Sequence, residues 1–263
     1  MATAQVSQRV FFCVSALAFV ASAIVTFVWC SSMSTMGGMP MPGGWTMSMA
    51  WMRMPGQTWT GAALSFVAMW SVMMVAMMLP SLLPMLLRYR QAVAAVGTSR
   101  LARLTAIVAA GYFFVWTLIG VAAFPLGVSL AAVEMQQPTL ARGVPIAVGI
   151  VVVIAGFLQF TSWKAHHLAC CRGANVCLPA SSISALGAWR HGLRLGLHCS
   201  YCCAGLTAIL LVIGVMDLRA MTAVAIAITL ERLAPAGQRV ARALGAFIVC
   251  AGMFLIARAV GLA

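Results

Sequence analysis

From residue 61 to residue 87 the chain carries no charged side chain at all. At ~1.5 Å of rise per residue that run makes a helix of about 40 Å, longer than the ~30 Å of hydrocarbon in a bilayer. The segment is therefore predicted to be a transmembrane span. Its centre, MWSVMMVAMMLPSLLP, is dense in methionine. Met69, Met73 and Met77 recur at intervals of four and share one helical face, with Met74 and Met78 beside them. Methionine in such a place is either adaptable filler or a soft thioether ligand for a soft metal, and both readings stand for this face.

The remaining chain is equally apolar. With 63% hydrophobic residues, 7% charged residues and a mean hydropathy of +1.05, a soluble globular domain and a disordered chain are both excluded. Apolar runs between basic punctuation give about seven spans, near 10–29, 61–87, 104–124, 144–163, 195–215, 218–233 and 243–261. The predicted fold is an all-α, polytopic transmembrane helix bundle. Its first run follows Arg9 and contains Val20, Ala21, Ser22 and Ala23, as a signal peptide would. At ~20 apolar residues it exceeds the usual signal core, so it is read as a retained span. Two units result: residues 1–60, the first span plus an outer methionine-rich loop, and residues 61–263, a membrane bundle with a Cys/His-rich inner loop over 164–203.

A net charge of +13 raises the question of nucleic acid, but no soluble domain exists to present a basic surface. The charges read instead as an orientation signal. Arg9, Arg88, Arg90, Arg100, Arg103, Lys164, Arg172, Arg190, Arg194, Arg232, Arg239 and Arg242 fall on one side of the alternating spans. Only Arg53, Arg142, Arg219 and Arg258 fall on the other. The positive-inside rule then places the N-terminus in the cytoplasm and, for an odd number of spans, the C-terminus outside. The expected surroundings are a lipid bilayer and a metal ion, with no nucleic acid.

Residues 30–60 form the first outer loop, where Met33, Met36, Met39, Met41, Met47, Met49, Met52 and Met54 recur among Gly, Pro and Ser. This composition predicts a flexible strip of exposed thioethers without a core, and thioether clusters suit Cu(I) better than zinc or iron. The bland alternative is a loop lying on the bilayer, anchored by Trp45, Trp51 and Trp59.

Six of the nine cysteines and all four histidines crowd into the inner region, within KAHHLACCRGANVC and HGLRLGLHCSYCCAGL. In a reducing compartment they read as thiols or metal ligands rather than disulfides. Cys199, Cys202 and Cys203, at i, i+3 and i+4, place three sulfurs on one helical face. His198 adjoins them, and His167, Cys170 and Cys171 join them as candidate ligands from the loop. His166, Cys177 and His191 lie within reach. Cu(I) is the metal expected, with Zn(II) second, since the spacing is not that of a zinc finger. Isolated Cys13 and Cys250 read as packing residues. The only acids are Glu134, Asp217 and Glu231, too few for a paired-carboxylate proton route. Glu231 is expected to pair locally with Arg232, and Asp217 and Arg219 to occupy a short outer turn. No P-loop, nucleophile elbow or dinucleotide fingerprint occurs, so the chain is not expected to be an enzyme.

Several of these segments also carry a resemblance. MWSVMMVAMMLPSLLP, GYFFVW at 111–116, LQFTSWK at 158–164, Cys171-Arg172, CSYCC, GVMDL and Glu231-Arg232 occur in an order similar to an uncharacterised bacterial family of predicted metal-binding integral membrane proteins, the domain of unknown function 2182. The resemblance implies a helical protein of the bacterial inner membrane with a metal site. His167 stands where that family has a cysteine, Ala204 where it has Trp, Thr207 where Met is common, and His198 where an aromatic is usual; these departures touch the inner ligand set. The leading functional reading is Cu(I) collection on the outer loop, passage along the methionines of the second span, and retention or release at the inner cysteines. The alternative is a structural or assembly subunit of a larger membrane complex or homo-oligomer, in which Gly192 and Gly196 make a small-residue packing face. A third is thiol redox chemistry, which would need Cys199 with Cys202 or a loop partner, because adjacent Cys202 and Cys203 are poorly placed to join.

Overall fold

The computed structural model describes residues 2–35, 37–53, 56–94, 97–172 and 184–261. The chain forms α1 (Ala2–Thr35), a hairpin of β1 (Met39–Met41) and β2 (Trp45–Met47), then α2 (Trp59–Ala92), α3 (Thr98–Gln136) and α4 (Pro138–Leu158). After these come α5 (Ser162–Cys171), α6 (Ala185–Ile213), α7 (Leu218–Leu233) and α8 (Gly237–Ala259). Six helices, α1 to α4, α6 and α8, are long and apolar enough to cross a membrane. The expected span at 218–233 is a helix of 16 residues, about 24 Å long and thus short of a bilayer core. It still carries the chain from one end of the bundle to the other. Met221 in its first turn lies 3.9 Å from Cys30 near the end of α1, while its last turn receives Arg172, which donates to the Glu231 and Arg232 carbonyls.

Glycines set the helix spacing. A Cβ on Gly196 would stand 2.9 Å from the Tyr112 carbonyl, and one on Gly192 would run into that of Val108. The Gly192/Gly196 face is thus used within the chain, bringing α6 against α3. Gly149 and Gly156 on α4 meet Gly252 and Gly245 on α8, where added Cβ atoms would lie 3.2 Å or less from the facing backbone. The two helices run antiparallel at near backbone contact, as small residues permit in membranes. Between α2 and α3, the Trp70 indole fits against Gly120 and donates to the Trp116 carbonyl at 2.8 Å.

The outer methionine-rich loop is not the coreless strip expected from its composition. Met39 pairs with Met47 across the β1–β2 hairpin, and Met41 and Met47 are buried with Ala131 and Ala141. Trp45 donates to the Ala141 carbonyl at 2.9 Å, and the Trp51 ring packs at a tilt against Phe66, so neither is a free interfacial anchor. Alternation places every second side chain of the hairpin against the α3–α4 corner, and burying those thioethers gives the strip a fixed shape. Trp59 remains exposed, with Arg53 over its ring. Met36 and Met54 lie outside the described residues.

Candidate metal centre

The short helix α5 sits between α4 and α6 and turns one face inward. Thr161 caps it, accepting from the Lys164 N–H. The residues it buries, Lys164, Leu168 and Cys171, are spaced i, i+4 and i+7, a single helical stripe. On the facing side α6 buries Cys199, Cys202 and Cys203, each 2% exposed or less. The Cys202 thiol lies beside those of Cys171 and Cys203, and the Cys203 thiol beside that of Cys199. Four thiols from two helices therefore form one continuous cluster.

At its middle lies a residue the sequence reading assigned elsewhere. Instead of pairing with Glu231, Arg232 turns its guanidinium into the sulfurs, 2.8 Å from Cys199, 3.3 Å from Cys203 and 3.7 Å from Cys171, and bonds Ser81 of α2 at 3.2 Å. Neighbours on a helix point about 100° apart, which sends Glu231 to a different partner. Its carboxylate takes Lys164 at 2.7 Å, and the same ammonium donates to the Cys202 carbonyl at 2.7 Å. Tyr112 of α3 closes the far side, its hydroxyl 2.8 Å from the Cys199 sulfur. The close approach at Gly196 is what lets it reach. Two buried atoms here, Glu231 Oε1 and Arg232 Nε, have no hydrogen-bond partner among the described residues.

The other expected ligands are divided. His167 and His198 do meet, Nδ1 to Nδ1 at 3.2 Å, but as a pair on the rim rather than on the cysteine sulfurs. Burial, with the rings of His198 and His166 beside it, pulls the His167 pKa below its ordinary value; neutral imidazole is the form that binds metals. Cys170 faces outward, 3.8 Å from the His166 ring, and His191 stacks on Tyr89 away from the cluster. Cys177 lies outside the described residues. Met73, Met74, Met77 and Met78 are all nearly inaccessible and belong to the same packed core as Cys199, Cys202 and Cys203. Of the four, Met77 also lines a 470 Å³ apolar cleft between α1, α2 and α7, opposite Met221.

Among the described residues, no three His, Cys, Asp or Glu side chains are spaced to hold one ion as they stand; the sulfurs close on the guanidinium instead. Sequence reasoning missed Arg232, Tyr112, Lys164 and Ser81 as members of the site. The signal available was scarcity: a chain with three acids and one lysine does not bury Lys164 and Glu231 without a partner. Five of the segments that carried the family resemblance, those holding Ser81, Tyr112, Lys164, Cys171 and Glu231-Arg232, converge with CSYCC on this one place. No curated protein and no solved structure matches the chain significantly. Residues 67–255, which hold every one of those segments, match a family model described as PpoB2, copper chaperone, and the chain belongs to that family.

Proposed function

We propose that this protein is a copper(I)-handling integral membrane protein, not an enzyme, which receives Cu(I) at its methionine-rich outer end and delivers it through thioethers of α2 to the thiols of Cys171, Cys199, Cys202 and Cys203. The observation that carries the reading is the gathering of four buried thiols from α5 and α6 in one cluster, three of them around a single guanidinium. Soft, polarisable donors of this kind select Cu(I) over harder ions, and membership in a copper chaperone family supports the same metal. Arg232 already supplies the positive charge that Cu(I) would bring to these sulfurs. Loading therefore requires the guanidinium to withdraw or to share them, which makes the inner cluster a site of exchange rather than of permanent storage.

Orientation follows from charge. The end of the bundle that gathers the start of α1, the end of α2 and the α4–α6 connection holds twelve of the sixteen basic residues, so we place it in the cytoplasm of a bacterial inner membrane. The test is Cu(I) retention against a chromophoric chelator, on anaerobically purified protein. Losing a group that merely orients a metal ligand costs about 10–100-fold in affinity, so Cys199→Ser and Cys203→Ser should each weaken retention by at least about tenfold. Cys13→Ser and Cys250→Ser, at exposed thiols, should not. Equal retention by all four variants would remove the cluster as the copper site. Retention should also fall as pH is lowered, because protons compete with the metal for thiolate.

A further inference from the structure

A second group of sulfurs lies at the opposite end of the bundle from the cysteine cluster. Cys30, near the end of α1, is only 2% exposed. Its sulfur stands 3.9 Å from that of Met221 in the first turn of α7 and 4.0 Å from that of Met216 in the turn after α6. Two segments far apart in sequence, the end of α1 and the turn from α6 into α7, thus bring three soft donors together. An ion held in a trigonal plane by metal–sulfur bonds of about 2.3 Å sets its sulfurs about 4.0 Å apart. Both measured edges of the triangle already have that length, whereas the inner cysteines close on a guanidinium.

We propose that Cys30, Met216 and Met221 form a further binding site for a monovalent soft metal ion, Cu(I), at the outer end of the bundle. The proposal rests on the copper reading above and adds a site to it. Binding exchanges the Cys30 S–H bond for an S–Cu bond; the proton leaves to solvent and no electron is transferred. One thiolate and two neutral thioethers then balance the single charge of Cu(I), so the filled site is neutral. A divalent ion on the same ligands would leave an uncompensated charge in apolar surroundings, which is strongly unfavourable. The position suits transfer. Met221 lines the same cleft as Met77 of α2, so the outer triad opens toward the thioethers that lead inward.

The experiment uses the full chain in detergent, without oxygen, titrated with Cu(I) alone. A variant carrying Cys171→Ser, Cys199→Ser and Cys203→Ser should still retain about one Cu(I), with X-ray absorption showing sulfur-only ligation at about 2.3 Å. Adding Cys30→Ser should abolish it. In the wild-type background, which serves if the triple variant does not fold, Cys30→Ser should lower the stoichiometry by about one ion. Met216→Leu with Met221→Leu preserves side-chain volume and should weaken the same ion at least about tenfold at unchanged helix content. A wild-type protein that binds Cu(I) with a stoichiometry and affinity unaltered by the Cys30, Met216 and Met221 changes would show that the three sulfurs only pack, and would leave the copper reading intact. A wild-type protein that takes up no Cu(I) would overturn both.

Discussion

Replacing Glu231 with leucine should unfold this protein far more readily than its single lost contact suggests. Lys164 and Glu231 are 4% and 1% exposed and 2.7 Å apart. Removing one member of a buried ion pair strands the other charge, at a cost of about 3–5 kcal/mol, or a change of roughly 10² to 10⁴ in the unfolding equilibrium. Lys164→Met should cost about as much, with at most ~1 kcal/mol more for the lost bond to the Cys202 carbonyl. That carbonyl lies inside α6 and keeps its helical hydrogen bond, which limits the extra loss. The double change, Glu231→Leu with Lys164→Met, removes both charges and should lie within ~1–2 kcal/mol of wild type. The assay is a double-mutant cycle of denaturant unfolding in mixed micelles. Copper retention should follow stability, because the ion pair holds α5, and with it Cys171, against α6 and α7. Single effects that add to the double-variant effect within ~0.5 kcal/mol would mean that the two charges do not interact, and would refute a dry, paired site.

Met73→Leu combined with Met77→Leu keeps volume and apolarity, so stability should change by less than ~1.5 kcal/mol while copper transfer from the outer to the inner end falls; unchanged transfer in copper accumulation assays at equal membrane abundance would exclude a route along this face. Gly156→Ala places a Cβ 2.9 Å from the Val249 nitrogen and 3.0 Å from the Gly245 carbonyl, and should lower the thermal midpoint through about 1–3 kcal/mol of overpacking between α4 and α8. A midpoint equal to wild type would show that these helices can separate without cost. Cys30 is too buried to report topology, but Thr46→Cys on the exposed side of the hairpin should react with a membrane-impermeant thiol reagent on whole cells while Cys170 does not. Labelling confined to Cys170 would invert the orientation.

Much of the membrane architecture was legible because hydrophobicity needs no partner to be read. The uncharged run at 61–87 implies a span whatever lies beside it, and the helices fall where the apolar runs lie. The face shared by Cys199, Cys202 and Cys203 was equally legible, being local helix geometry. Less followed where composition stood in for contacts. A loop rich in Met, Gly and Pro reads as coreless until α3 and α4 supply a surface for Met41 and Met47. An adjacent Glu231 and Arg232 read as a pair until other helices offer each a better partner.

The sequence by itself determined that this chain lives in a membrane as helices, with soft sulfur donors concentrated at both ends and between them. Those are properties of single segments, set by transfer free energies and the 3.6-residue repeat. Tertiary structure alone decided what the sulfurs surround. Arg232 enters the inner cluster because α7 packs between α2 and α6, Tyr112 reaches Cys199 because Gly192 and Gly196 let α3 and α6 touch, and Cys30 meets Met216 and Met221 across more than 180 residues of chain. In a core where unpaired charges and polar groups are costly, each finds its partner by packing between helices, which sequence spacing does not encode.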